Sequence, residues 1–121
     1  MHESNTIARA KSYVALSNAH ELAKIKSLFT PDATYYSAYF GEYRGIDAIH
    51  DMMQSFFKRF SDAYWEVPEY CCIDDNGVEF AFLMTATDTN SGEQVQRRGL
   101  ERIYFSSTGL IKHIAVCKPE A

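Results

Sequence analysis

Two long stretches in the second half of the chain alternate in residue character, and this pattern limits the fold most strongly. They run from Val78 to Thr89 and from Gln94 to Phe105. A period of two residues is typical of β-strands, in which successive side chains point to opposite faces. The sequence therefore predicts two long strands that each turn one face to the core. The bulky face of the first strand contains Val78, Phe80, Phe82, Met84 and Ala86.

The second of these strands places an acidic residue on one face together with apolar residues. The same alternation assigns to that face Val95, Arg97, Gly99, Glu101 and Ile103. Glu101 is therefore the position of greatest chemical interest. Two interpretations stay open: Glu101 forms an ion pair with Arg97, two positions along the same face, or it contacts a ligand.

Two further strands are predicted, from Trp65 to Ile73 and from Leu110 to Lys118. Turn residues separate all four strands, with the strongest turn signal at Asp74 to Gly77. The four strands are expected to form a meander of hairpins.

The first half of the chain reads mainly as helical. A first helix with apolar residues near helical spacing is expected to end at a break at residues 18–20. A short second helix is predicted over Leu22 to Phe29, and Pro31 should terminate it. Ala33 to Phe40 is predicted as a strand, and Gly41 to Gly45 as the connection to a third helix that reaches about Asp62. The apolar stripe of that helix is Ile46, Ile49, Met52, Met53, Phe56, Phe57 and Phe60.

Composition narrows the class of protein. The 121 residues suit one domain, residues 1–121, and a content of 46% hydrophobic residues suffices for one core. A net charge of −4 without long basic runs argues against nucleic acid as a partner. No apolar stretch has the length of a membrane span or a signal peptide, so a soluble, cytoplasmic protein is expected. Cys71, Cys72 and Cys117 are expected to be buried, reduced thiols.

The order helix, helix, strand, helix and four-strand meander resembles the nuclear transport factor 2-like (NTF2-like) superfamily, in particular its SnoaL-like and ketosteroid-isomerase-like branches. The resemblance is carried by the segments at residues 13–19, 28–34, 43–49 and 109–111, in that order. It implies an α+β fold, a cone-like α+β barrel. N-terminal helices then pack into a strongly curved, mainly antiparallel sheet that leaves a cavity at its open end.

The resemblance also implies roles for particular residues. The tyrosine and the carboxylic acid that stabilise an oxyanion in ketosteroid isomerases fall on Tyr13 and Glu101, which are the expected catalytic residues. The position of the catalytic base falls on Ser37, and an unassisted serine hydroxyl is not a base near neutral pH. His113 and Glu42 are candidate replacements, with a surface or strand-edge role as the alternative. The last predicted strand has no aspartate of the kind that SnoaL-like cyclases use.

The expected function is therefore binding of a small hydrophobic or aromatic carbonyl compound, with isomerase, cyclase or dehydratase-like chemistry left open. The alternative is a non-catalytic dimeric ligand-binding or interaction module. A homodimer is expected through the outer sheet face, where Leu83, Leu100 and Tyr104 lie. No cofactor and no metal site are expected, since the histidines lack zinc-site spacing. The expected ligand-binding residues are Tyr35, Ser37, Phe56, Phe60, Trp65, Phe82, Met84, Ile103 and Ile114; if they only fill a core, no pocket remains.

Overall fold

A computed structural model describes residues 4–74 and 76–119, so Asp75 of the predicted turn lies outside the described residues. Within these ranges, three helices and seven strands follow one another. The helices are α1 (Ser4–Asn18), α2 (Leu22–Lys26) and α3 (Ile46–Arg59). The strands are β1 (Phe29–Ser37), β2 (Gly41–Arg44), β3 (Tyr64–Glu66), β4 (Cys71–Asp74), β5 (Gly77–Thr87), β6 (Gln94–Phe105) and β7 (Ile111–Cys117).

The strands form one curved, unclosed sheet in the order β2-β1-β7-β6-β5-β3. Strand β4 also pairs with β5, at the N-terminal end of β5. All pairings are antiparallel except that of β1 with β7. The predicted α+β class with a mainly antiparallel curved sheet is confirmed. Strands β5, β6 and β7 are the last three strands of the predicted four-strand meander, and β3 and β4, which both pair with β5, stand in place of the first.

Alternation along β5 and β6 assigned the faces correctly. Every second residue of β5 from Val78 to Ala86 is buried, and in β6 the buried residues run from Gly99 to Phe105 in the same way. Helix α3 buries Ile49 and Met53 in the core that these residues line. Because the helices cover one face of the sheet only, the core lies between them and the concave face.

The start of the sheet differs from the prediction. Phe29 and Pro31 belong to strand β1 and not to the second helix, which ends at Lys26. Proline has no N–H group for a sheet hydrogen bond, and it lies where the register of β1 against β7 shifts, between Phe29 and Thr34. The irregularity therefore accommodates a residue that a regular strand would reject.

Two other segments also required correction. The predicted connection Gly41 to Gly45 contains strand β2, which pairs antiparallel with β1. Gly45 precedes helix α3 with a φ of 89°, a conformation that favours glycine. The single strand predicted over Trp65 to Ile73 is divided into β3 and β4, because Pro68 lies between them.

The cysteines are free thiols, but none of the three is fully buried, in contrast to the prediction. Cys71 and Cys72 are exposed and Cys117 is half-buried. Strand β4 is short, lies at the edge of the sheet and leaves its first two residues exposed. These residues are therefore exposed because of their position at the sheet edge, although the segment is apolar.

Gly99 lies opposite Phe82 in the register of β5 and β6. A Cβ atom at this position would lie 2.5 Å from the Phe82 ring and 3.0 Å from the carbonyl oxygen of Cys117. The absence of a side chain at Gly99 thus allows the Phe82 ring to lie close to the backbone of β6.

We expect Gly99→Ala to lower the free energy of unfolding by about 1–3 kcal/mol, because the added methyl group must displace an aromatic ring and a backbone carbonyl. Urea unfolding measures the change. Gln96→Ala, at an exposed position of the same strand, is the control and should change stability by less than about 0.5 kcal/mol. Equal stability of Gly99→Ala and the native protein would contradict the proposed close contact.

Candidate functional site

A cavity lies between helices α1 and α3 and the concave face of the sheet. The space open to the centres of water molecules is about 70 Å³. Its lining is mainly apolar, with a few polar side chains, as is usual for small-molecule sites. The lining residues that the sequence predicted are Tyr13, Tyr35, Ser37, Phe56, Trp65, Phe82, Met84 and Glu101.

Glu101 supplies the carboxyl group of this cavity. It lies on β6 between Phe80 of β5 and Val116 of β7, and it is 5% exposed. Its Oε2 atom is buried and has no hydrogen-bond partner. Buried polar atoms without partners are uncommon in folded proteins and are often functional.

Burial alone changes the acidity of this group. Removal of the carboxylate from water raises the pKa of Glu101 from its ordinary value of 4.5 to about 8. The side chain is consequently a neutral carboxylic acid at and below neutral pH, and the O–H group can donate a hydrogen bond or a proton.

Two phenol groups lie close to this acid. Burial raises the pKa of Tyr13 well above its ordinary value, and the nearby Tyr35 and Glu101 raise it further. Burial and Glu101 raise the pKa of Tyr35 in the same way. The ring of Tyr13 packs edge-on against Phe29 at 6.1 Å between ring centroids. Both phenols therefore remain protonated and act only as neutral hydrogen-bonding groups.

Ser37 has a structural function at the end of β1. Its Oγ atom accepts hydrogen bonds from the backbone N–H groups of Tyr39 (3.0 Å) and Phe40 (3.2 Å). These bonds hold the turn that leads to β2. A hydroxyl oxygen that accepts two N–H groups is less basic still, which agrees with the expectation that Ser37 does not replace a catalytic base.

The two candidate replacements for the base do not line the cavity. The Nδ1 atom of His113 lies 2.7 Å from Oγ1 of Thr34, and its ring stacks on Tyr104. Glu42 is exposed on the edge strand β2. The surface interpretation therefore fits Glu42, whereas His113 is half-buried on the central strand β7, outside the cavity.

Three of the predicted ligand-binding residues do not line the cavity. Phe60 packs behind Phe56, with ring centroids 5.0 Å apart. Ile103 and Ile114 are directly paired across β6 and β7 and are fully buried. Both lie on the inner face, as alternation predicts, but in a part of the core that other side chains fill and that the cavity does not reach.

Other lining residues were not predicted as site residues. They are Val14, Ser17, Tyr39, Phe40, Met52, Met53, Phe57, Phe80, Arg97 and Val116. The apolar stripe of α3 already contained three of them, and alternation in β5 placed Phe80 inward. Tyr39 and Phe40 follow the end of β1, and no local pattern indicated that this turn folds back over the cavity.

The predicted alternative, an ion pair between Arg97 and Glu101, is wrong. Within the ranges 4–74 and 76–119, the Arg97 side chain has no carboxylate within 4.0 Å. Its guanidinium carbon instead lies 4.7 Å from the centre of the Tyr39 ring and 5.4 Å from that of Phe40. Glu101 is therefore an unpaired acid.

The described part of the chain contains no group of three or more histidine, cysteine, aspartate or glutamate side chains that could hold a metal ion. None of its helices combines the length and the apolar character that crossing a bilayer requires.

Helices packed on a curved, unclosed sheet are the architecture of NTF2-like α+β proteins. The sequence matches the SnoaL-like domain family over residues 10–114, which is most of the chain. The protein therefore belongs to the SnoaL-like domain family, as the resemblance in its sequence indicated. No curated protein gives a significant sequence match.

Solved structures share this fold at low sequence identity. SalBIII, an epoxide hydrolase/cyclase-like enzyme with a role in pyran ring formation in salinomycin, has a TM-score of 0.86 and 17% identity, over 95% of this chain and 91% of that chain. An NTF2-like protein from Exiguobacterium sp. 255-15 has a TM-score of 0.81 and 18% identity, with 96% and 99% covered.

A Mycobacterium tuberculosis protein in complex with estradiol-17beta-hemisuccinate is a further structural neighbour. Its TM-score is 0.81 and its identity is 12%, over 93% of this chain and 92% of that chain. At these identities the likeness concerns the fold alone.

Burial of Glu101 makes stability depend on pH. Between pH 4.5 and about 8 the Glu101 carboxyl is protonated in the folded state but ionised in the unfolded state. The free energy of unfolding should therefore fall as pH rises through this interval. The decrease amounts to at most about 5 kcal/mol. In Glu101→Gln this contribution should be missing, so the variant gains stability relative to the native protein at pH 9.

Urea unfolding of both proteins at several pH values measures the difference. Other groups, such as Asp62 and Asp88, whose pKa values are lowered by hydrogen bonds, are common to both proteins and cancel. Parallel stability curves for the native protein and Glu101→Gln would contradict a buried, neutral acid.

Proposed function

We propose that this protein binds a small, mostly apolar carbonyl compound in the cavity and that Glu101 acts on it as a neutral hydrogen-bond and proton donor. The observation that carries the proposal is the buried Oε2 atom of Glu101, which lacks a partner in an otherwise aromatic cavity. A carbonyl oxygen is the complementary group, because it accepts a hydrogen bond and requires no charge.

The size of the cavity supports a compact ligand. Addition of one water radius around the accessible space of about 70 Å³ gives an envelope of roughly 260 Å³ for a compact shape. One or two fused rings fill such a volume. Phe56 and Trp65, with ring centroids 5.7 Å apart, offer flat surfaces for these rings.

Proton donation is the chemistry that the site favours. Among the described lining residues Glu101 is the one carboxyl group, and its pKa of about 8 makes it an effective acid near neutral pH. Tyr13 adds a second neutral donor. This pair suits isomerase, cyclase or dehydratase-like steps in which an oxygen of the substrate gains negative charge. The cyclase-like and ligand-bound structural neighbours support a reaction or a binding role of this kind.

A second candidate function is ligand binding without turnover. The use of the Ser37 hydroxyl as a backbone acceptor favours it, because the position of the catalytic base then has no base. The ligand and the binding residues are the same in both proposals.

We expect Glu101→Leu to weaken binding of α-tetralone by about tenfold, the effect of one lost hydrogen bond in a dry site. Glu101→Gln should retain most of the affinity, since its amide also donates. Native affinity should fall above pH 8, where Glu101 ionises, and the affinity of Glu101→Gln should not. Quenching of Trp65, the single tryptophan of the chain, measures binding.

Tetralin, which lacks the carbonyl group, is the matched ligand control. Its affinity should be the same for the native protein, Glu101→Leu and Tyr13→Phe. Equal losses for tetralin and α-tetralone would show that the substitutions damage the cavity and would count against the hydrogen bond. Failure of α-tetralone to bind the native protein would refute the proposed ligand class.

A homodimer through the outer sheet face is part of the proposal. Leu83, Leu100 and Tyr104 are half-buried on that face. We expect sedimentation velocity to give twice the monomer mass at high micromolar concentration and Leu100→Lys to give a monomer. Ala48→Lys, on an exposed position of α3, is the control and should remain dimeric. A native protein that stays monomeric at this concentration would contradict the prediction.

A further inference from the structure

Arg97 is held at the cavity by aromatic rings. It lies on the inner face of β6, and its guanidinium carbon is 4.7, 5.4 and 5.9 Å from the ring centres of Tyr39, Phe40 and Phe60. Phe40 is 41% exposed, which places this cluster at the mouth of the cavity. The phenol of Tyr39 donates a hydrogen bond of 2.8 Å to the carbonyl oxygen of Arg98 and so fixes its ring.

Arg97 lacks the carboxylate partner that Arg59 and Arg102 have. Arg59 bonds to Asp88 at 2.9 Å, and Arg102 bonds to Glu79 at 2.8 Å. Within residues 4–74 and 76–119, the Arg97 side chain forms no such ion pair and no hydrogen bond. Aromatic rings contact the flat face of a guanidinium group, whereas its N–H groups point outward from the edge and match an anion.

Arg97 and Glu101 both lie on the inner face of β6, one nearer each end of the part of the strand that borders the cavity. They are separated by four residues, or roughly 13 Å between Cα atoms of an extended strand. Gly99 lies between them on the inner face, and the Phe82 ring covers it. Because Arg97, Glu101 and Phe82 line the same cavity, a ligand that packs on the Phe82 ring can reach from one group to the other.

We propose that Arg97 is the anion-binding subsite of this cavity, which makes the ligand an apolar ring compound with a carboxylate at one end and a hydrogen-bond acceptor at the other. The inference rests on the proposed function of the cavity and adds the charge of its ligand. The net charge of the protein is −4, so its overall electrostatic field disfavours anions. If the protein nevertheless binds an anionic ligand more tightly than a neutral one, the preference must come from a local site.

The test compares α-tetralone carrying a carboxylate on its aromatic ring with the corresponding neutral carboxamide at about pH 6, where the carboxylate is ionised. We expect the native protein to bind the carboxylate at least about tenfold more tightly, the usual gain of a charge-assisted pair. Arg97→Gln should remove this preference, and Arg97→Lys should keep part of it. Arg98→Gln is the matched control, because the same charge is removed from the adjacent, exposed position; its preference should remain.

Equal affinity of the native protein for the two compounds would overturn the inference, and this comparison needs no variant to fold. Equal loss of the preference in Arg97→Gln and Arg98→Gln would also overturn it, because it would indicate a diffuse field. If α-tetralone binds in a manner that depends on Glu101 while the carboxylate gives no advantage, the subsite fails and the proposed function stands. If none of the three compounds binds, the proposed function itself fails.

Discussion

The burial of the Glu101 carboxyl without a partner is the constraint on which the site depends. Removal of a carboxylate from water is so unfavourable that the group keeps its proton instead, and this raises its pKa to about 8. The same burial lowers stability and gives the site its chemistry, because the unused oxygen of a neutral acid can form a hydrogen bond with a molecule that enters the cavity. A water-exposed glutamate in the same fold would have neither property.

The cavity around this acid remains open because large, stiff side chains form its walls and one position of the strand beneath them has no side chain. Gly99 allows Phe82 to lie against the sheet, and the contacting rings of Phe56 and Trp65 line the same cavity. At the mouth, the rings near Arg97 hold its charge beside the cavity and away from Glu101.

Much of the sheet could be predicted from the sequence, whereas its irregular parts could not. Alternation in β5 and β6 is a local property, and it assigned the buried residues correctly. The second helix was extended too far, over Phe29, because a short apolar run fits a helix or a strand equally well. Its strand state depends on pairing with β7, more than 80 positions away in the chain. For the same reason, the lining residues Tyr39 and Phe40 carried no local signal.

The sequence by itself determined that an acid, an arginine and a glycine share the inner face of one strand with apolar neighbours, since the two-residue period follows from backbone geometry. Only the tertiary structure decided that Arg97 and Glu101 stay apart, that Ser37 is occupied by backbone N–H groups and that a cavity remains. Ion pairing and desolvation depend on distances between elements that are remote in the chain, and residue order alone does not specify those distances.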